Sequence, residues 1–201
     1  IPVGRGLGSS AALSIAIARA KKLPNVREIA DKCEKFIHGN PSGIDVNQVL
    51  SDTPLLFSKK DGATPLDFNL DSYLLIIDTG VIGITKETLK HIKQNFENYK
   101  SYIDELGEIT EKVIEPLKKK AIEIVGAYMY KAHDLLQKLG VSHESNDDVV
   151  NICKNNGALG AKLTGGGAGG CCIALSKTKE NAEKIQNELA KKGYKSWIVT
   201  V

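Results

Sequence analysis

Apolar residues recur along the first part of this chain at the spacings of regular helices and strands. Between positions 26 and 37 they come at steps of three and four and stop at a Gly-Asn-Pro turn, which predicts an amphipathic helix. Residues 11–20 are nearly all apolar and rich in helix formers, which predicts a buried helix too short to cross a membrane. The β-branched and aromatic run 72–78 closes at a Thr-Gly pair and predicts a buried strand.

The second half of the chain alternates longer helical patterns with short strand patterns. Apolar stripes of helical spacing occupy residues 89–106 and 125–139, and residues 147–156 and 179–192 also predict helices. Short strand patterns occupy residues 158–163, 171–175 and 196–201, the first two on either side of a glycine run. Helices and strands in this order predict an α+β fold whose apolar stripes form the core.

Composition limits the kind of protein and the partners it has. The chain has 201 residues, of which 42% are hydrophobic and 25% charged, enough for one core or two smaller ones. A net charge of +3 falls far below the basic excess of a nucleic-acid binder, so we expect no such partner. The four cysteines form no C-x-x-C pair, and no signal peptide or unbroken apolar span is present. We therefore expect a reduced, cytoplasmic protein without a membrane partner.

The first segment with chemical potential joins a glycine-rich turn to a helix start. Three glycines at alternate positions lead straight into the first predicted helix, where free backbone N–H groups and the helix dipole favour an anion. The serines at positions 9 and 10 each offer a hydroxyl that caps the helix or binds Mg²⁺ held against phosphates. Ordinary packing also produces such turns and is the alternative interpretation. The segment consists of Gly4, Arg5, Gly6, Leu7, Gly8, Ser9, Ser10, Ala11 and Ala12.

A second segment places two carboxylates around a tight turn. Glu34 precedes the stretch His38-Gly39-Asn40-Pro41-Ser42-Gly43-Ile44-Asp45, after which the chain becomes apolar. We expect Asp45 to enter an apolar neighbourhood, where its carboxylate could hold a substrate hydroxyl or accept its proton, and Glu34 to bind Mg²⁺. In the alternative interpretation, Asp45 caps a following helix and Glu34 lies on a solvated face.

A third segment is the glycine run at residues 162–170, Lys-Leu-Thr-Gly-Gly-Gly-Ala-Gly-Gly. A simple hairpin needs only one or two glycines, so five glycines in six residues indicate that something approaches the backbone closely. We favour a ligand over a merely flexible hairpin.

The four histidines carry less information than these segments. We expect His91, His133 and His143 to lie at the surface, on or beside amphipathic helices, and His38 to shape the turn. No metal site follows from them.

The three segments together resemble the GHMP kinase family. Residues 2–12 resemble its second motif and residues 162–170 its third, in the expected order. Glu34 with the His38–Asp45 stretch resembles the mevalonate kinases within that family, as does Asp78-Thr79-Gly80 with Thr85 downstream. The family's first motif, which supplies a lysine, would precede Ile1. We therefore expect residues before Ile1 and near position 21 to be absent from this chain.

This resemblance implies a fold, a reaction and a set of site residues. The fold would be an S5-like N-terminal domain, residues 1–70, followed by a ferredoxin-like C-terminal domain, residues 71–201. The reaction would be the ATP-dependent phosphorylation of mevalonate, with phosphomevalonate kinase, homoserine kinase and an inactive nucleotide-binding fragment as alternatives. A homodimer is one alternative for assembly.

The resemblance also assigns roles to individual residues. Gly4 to Ala12 would bind the ATP phosphates, Ser10 and Glu34 would bind Mg²⁺, and Asp45 would face the substrate hydroxyl. Thr85 would lie near the phosphates, and Gly165, Gly166 and Gly167 would line the cleft near the transferring phosphoryl group.

Overall fold

The computed structural model describes residues 3–83, residue 90 and residues 92–201. The described chain divides into two compact units, one with Val3 and residues 7–68 and the other with residues 4–6 and 69–201. Within these ranges, no helix combines the length and the apolar character needed to cross a membrane.

The first unit packs three helices and a small hairpin. The helices are α1 (Ser9–Ala20), α2 (Val26–His38) and α3 (Ile44–Leu50). The strands β1 (Leu55–Ser58) and β2 (Gly62–Pro65) pair in antiparallel fashion. Its core is built from Ala11, Ile15, Ala30 and Val46, so small alanine side chains allow the helices to approach closely.

The prediction that α1 is a buried helix is only half right. Ala11, Ile15 and Ala18 are buried along one face. Leu13 and Ile17, on the opposite face, are 62% and 52% exposed. The composition of the segment is apolar all round, but only one stripe of a helix meets the neighbouring helices of this unit.

The second unit is built around a four-stranded antiparallel sheet. Its strands are β3 (Tyr73–Asp78), β4 (Gly160–Thr164), β5 (Cys171–Ser176) and β6 (Lys195–Thr200), in the spatial order β4-β5-β3-β6. A helical region separates β3 from β4, and one helix separates β5 from β6. This β-α-β-β-α-β order is the ferredoxin-like arrangement, and it confirms the predicted α+β class.

The helices of the second unit supply most of the remaining core. Among the described residues they include α4 (Phe96–Lys112), α5 (Ile114–Lys118), α6 (Ile122–Lys138), α7 (Glu144–Asn155) and α8 (Lys179–Lys191). Strand residues Leu75, Ile77 and Leu163 are buried together with helix residues Val149 and Ile185. Side chains alternate across β3, where Leu75 and Ile77 are fully buried and their neighbours only partly, so the strand is less buried than predicted.

Short elements were not predicted. Helix α3 has seven residues, α5 has five, and β1 and β2 have four each. Such lengths are too short for a hydrophobic period to repeat, and the hairpin strands also contain glycine and proline.

The histidine predictions are partly wrong. His133 is only 2% exposed; its Nδ1 accepts a hydrogen bond from the Leu163 N–H at 3.4 Å, and its Nε2 lies 3.3 Å from the Asp147 carboxylate. Burial lowers the pKa of His133, against the opposing effect of Asp147. His143 caps the start of α7. His91 lies outside the described residues.

Two glycines bring α6 and β4 into direct backbone contact. A Cβ atom placed on Gly126 would lie 2.3 Å from the Leu159 carbonyl oxygen, and one on Gly160 would lie 2.3 Å from the Gly126 carbonyl oxygen. Both distances are far below van der Waals contact and involve backbone atoms, which cannot swing away as a side chain can. The spacing between α6 and the sheet therefore depends on the absence of a side chain at both glycine positions.

We predict opposite effects on stability from replacing two helical glycines with alanine. Gly126→Ala should lower the free energy of unfolding by about 1–3 kcal/mol, because the added methyl group forces the backbones apart. Gly107→Ala is the matched control: it lies inside α4, nothing lies within 4 Å of the added Cβ, and the helix propensity of alanine should stabilise by about 1 kcal/mol. Denaturant unfolding measures both, and equal effects of the two variants would contradict the packing argument.

Candidate functional site

The first glycine-rich turn has the backbone that its sequence predicts. Gly4, Gly6 and Gly8 have φ angles of +73°, +73° and +64°, a region that side chains disfavour. Gly8 is the residue immediately before α1, and the serines at positions 9 and 10 begin the helix. In the described chain neither serine hydroxyl caps the helix start. The backbone N–H groups of the first turn remain directed out of the helix, an arrangement suited to an anion.

Glu34 is buried beside His38, whose ring also reaches Ser10. The residue is only 3% exposed, so the alternative of a solvated face is wrong. Its Oε2 atom lies 3.6 Å from Nε2 of His38, and the same nitrogen lies 3.3 Å from the Ser10 hydroxyl. The other carboxylate oxygen, Oε1, is buried and has no hydrogen-bond partner among the residues that the structure describes. A buried carboxylate oxygen without a partner is a candidate ligand for a cation.

Asp45 lies in the same unit, at the second position of α3. A Cβ atom placed on Gly8 would lie 3.4 Å from Cγ of Asp45, so the carboxyl group stands against the residue that precedes α1. Asp45 does not cap α3, whose N-cap is Gly43, and the capping alternative is therefore wrong. The expected apolar neighbourhood is wrong as well, because Asp45 is exposed and the adjacent Val46 is the buried residue.

The environment of Asp45 nevertheless changes its proton affinity. Although the residue as a whole is exposed, partial burial of its carboxyl group raises the pKa above the ordinary aspartate value. The Glu34 carboxylate raises this pKa further, and His38 acts in the opposite direction. A more basic carboxylate is a better proton acceptor for a hydroxyl group.

The second unit brings the two glycine turns together. A Cβ atom placed on Gly165 would lie 2.9 Å from the Gly6 carbonyl oxygen. Arg5, between the first two glycines, pairs through Nε with Oδ1 of Asp78 at 3.1 Å. The next residue, Thr79, donates its hydroxyl hydrogen to the Gly170 carbonyl at 2.6 Å. The Asp-Thr-Gly segment thus contacts both turns.

The glycines of the second turn lie close to other atoms of the chain itself. A Cβ atom on Gly167 would lie 2.1 Å from the Val141 carbonyl oxygen, and one on Gly169 would lie 2.8 Å from the Val81 side chain. The close approach that the sequence indicated is therefore made in large part by protein atoms. Gly165 and Gly166 are exposed, whereas Gly167 is buried. Thr85 lies outside the described residues.

Comparison with known families matches both ends of the chain. Residues 1–51 match the family described as GHMP kinases N terminal domain, and residues 113–195 match GHMP kinases C terminal. The chain belongs to the GHMP kinase family.

Individual relatives of this GHMP kinase chain are mevalonate kinases. The chain is similar to the enzyme of Thermococcus sibiricus, with 34% identity over 198 residues that cover 90% of this chain and 59% of that protein. For the enzyme of Aeropyrum pernix the identity is 33%, with 90% and 60% covered. The chain therefore spans about three fifths of the length of these curated relatives.

Solved structures of mevalonate kinases are also similar to this chain. Leishmania major mevalonate kinase in complex with R-mevalonate matches with a TM-score of 0.85 and 27% identity, over 96% of this chain and 65% of that one. Mevalonate kinase from methicillin-resistant Staphylococcus aureus matches with a TM-score of 0.75 and 31% identity, over 100% of this chain and 68% of that one.

One residue of the candidate site was underestimated from the sequence. His38 was expected to shape the turn, but its ring lies within reach of both Ser10 and Glu34. The signal was present, because Glu34 and His38 are four residues apart and therefore share a face of α2.

We predict that Glu34→Gln lowers the pKa of Asp45 toward the ordinary aspartate value. The change removes the negative charge that disfavours ionisation of Asp45 but leaves its burial in place. An NMR titration of the Asp45 side-chain carboxyl measures the shift. Glu28→Gln is the control, because Glu28 lies on the same helix but pairs with Lys32 on the exposed surface. An Asp45 pKa that is the same in both variants would show that Glu34 does not act on Asp45.

Proposed function

We propose that the protein transfers the γ-phosphoryl group of ATP to the primary hydroxyl of mevalonate. One observation carries the proposal: in the first unit, the His38 ring reaches both Ser10 and the buried Glu34, and Asp45 stands beside Gly8. Among the residues that the structure describes, Oε1 of Glu34 has no hydrogen-bond partner. The similarity to mevalonate kinases supports the choice of acceptor. A new bond forms between the hydroxyl oxygen and the γ-phosphorus, the bond from that phosphorus to the β-phosphate oxygen breaks, and ADP leaves.

Asp45 is the residue proposed to act on the acceptor. Its carboxylate accepts a hydrogen bond from the substrate hydroxyl, orients the oxygen toward the phosphorus and takes up its proton. The raised pKa of Asp45 suits this role, because it strengthens the affinity for a proton.

Ser10 and Glu34 are the residues proposed to hold Mg²⁺. The buried Oε1 of Glu34 fits a cation, and the Ser10 hydroxyl lies in the same cluster. No group of three or more His, Cys, Asp or Glu side chains within the described chain could hold a metal ion by itself. This agrees with Mg²⁺, which proteins typically bind through one or two carboxylates together with substrate phosphates and water. When bound, the ion would neutralise charge on the phosphate oxygens.

The glycine turns are proposed to contact the phosphates. Residues 4–12 offer backbone N–H groups and the start of α1 to the ATP phosphates. Gly165 and Gly166, which are exposed, lie near the transferring phosphoryl group in this proposal, and Gly167 supports them from a buried position. Thr85 is assigned to the phosphates from the family resemblance. We expect the reaction to take place in the cytoplasm, with a homodimer as one alternative for assembly.

We predict that Asp45→Asn in the intact protein lowers kcat by about 10²–10⁴-fold, the typical contribution of a general base. The affinity for ATP should stay nearly constant, because the substitution removes a charge but little volume. Steady-state kinetics with mevalonate and calorimetric titration with ATP measure the two effects. Asp52→Asn is the control, since Asp52 is an exposed aspartate of the same unit. An unchanged kcat in Asp45→Asn would refute the proposed role.

The acceptor itself requires a separate test. We predict that kcat/KM of the intact protein is highest with mevalonate when mevalonate, phosphomevalonate and homoserine are compared at saturating Mg²⁺ and ATP. Preference for either of the other two acceptors would overturn the substrate assignment within the GHMP kinases. Binding of ATP without turnover of any acceptor would instead favour a nucleotide-binding protein.

A further inference from the structure

Asn146 is a fully buried polar residue whose side chain reaches across the second unit to the glycine turn. It lies at the third position of α7, and its Oδ1 accepts a hydrogen bond from the His143 N–H at 3.1 Å as part of a capping box. The same oxygen accepts from the Gly169 N–H at 3.0 Å, and Nδ2 donates to the Gly169 carbonyl at 3.0 Å. One amide side chain therefore satisfies both backbone groups of Gly169.

The turn needs such a tether because its backbone is irregular. Gly165, Gly167, Ala168, Gly169 and Gly170 all have positive φ angles, from +54° to +111°. A backbone in this region does not continue the ladder of β4 and β5, so its polar groups require other partners.

Neighbouring residues hold the turn on both sides of Gly169. The Ala168 N–H donates to the Val141 carbonyl at 2.8 Å, and the Gly170 N–H donates to the Val81 carbonyl at 2.8 Å. Those two contacts are between backbone atoms and use no side-chain atom. The contact with Gly169 differs, because it depends on the identity of residue 146.

We propose that Asn146 is a positioning residue that anchors Gly169 and, through it, fixes the preceding turn residues 165–167 for phosphoryl transfer. This inference rests on the proposed function, in which that turn lies near the transferring group. A leucine of similar size would leave the Gly169 N–H and carbonyl buried and unpaired. An aspartate would keep the acceptor for the N–H but would place a carboxylate oxygen against the Gly169 carbonyl.

The test combines a direct readout of the tether with kinetics on the intact protein. In Asn146→Leu, hydrogen exchange of the Gly169 amide should become about tenfold faster or more, as expected for the loss of one buried hydrogen bond. The kcat for mevalonate should fall by about 10–10²-fold with little change in KM, because displacement of a positioning group mainly affects the transition state.

Asn156→Ala is the matched control for a general loss of stability. Asn156 follows the C-terminal end of the same helix, where its Nδ2 donates to the Ile152 carbonyl at 2.9 Å, and it has no contact with the turn in the described structure. The Asn156→Ala substitution should lower thermal stability. It should leave kcat and the hydrogen-exchange rate of the Gly169 amide near the wild-type values. If Asn146→Leu does not fold, Asn146→Asp takes its place in the test, because aspartate has nearly the same shape as asparagine. If Asn146→Asp and Asn156→Ala have equal thermal stability, kcat should be lower in Asn146→Asp.

Each outcome separates the inference from the function on which it rests. Equal kcat values in the Asn146 and Asn156 variants would overturn the positioning role, as would unchanged Gly169 exchange in Asn146→Leu. A wild-type protein that shows the expected Gly169 protection but phosphorylates no acceptor would overturn the proposed function instead.

Discussion

Direct contact between backbone atoms, which only glycine permits, is the constraint on which the second unit depends. It sets the distance between α6 and β4 at Gly126 and Gly160, and it recurs where the glycine turn meets Val141. At such positions even one methyl group would overlap a carbonyl oxygen, so the geometry is fixed by sterics and not by the strength of an attraction. Packing within the chain therefore fixes the position of the turn without any ligand.

The first unit depends on a different compromise, between stability and a buried charge. Its helices pack through small alanines around Ile15 and Val46, and this close packing excludes water from Glu34. Burying a carboxylate with an oxygen that lacks a partner costs folding free energy, of the order of a few kcal/mol. The proposed Mg²⁺ site would offset this cost, because a bound cation would give the Glu34 oxygen a partner.

Long elements of the fold were predictable from the sequence, and the burial of individual polar residues was not. Helices α2, α6 and α8 contain several apolar repeats each, so their period identified them nearly to their ends. Asp45 and His133 show the limit. Asp45 was expected to be enclosed and is exposed, whereas His133 was expected at the surface and is buried against Leu163. Both outcomes are decided by partners distant in sequence, which local patterns do not contain.

The same limit applies to the glycine motifs. Their sequence indicated that other atoms approach the backbone closely, but it did not indicate whether those atoms belong to a ligand or to the protein. Arg5 illustrates the consequence. It was assigned to ATP through the motif, yet its guanidinium pairs with Asp78, and its Nη1 is buried without a hydrogen-bond partner among the described residues. A phosphate bound by the Arg5 side chain would have to compete with an aspartate that is itself mostly buried. The guanidinium therefore holds the glycine turn against the Asp-Thr-Gly segment, a structural role that the motif alone did not reveal.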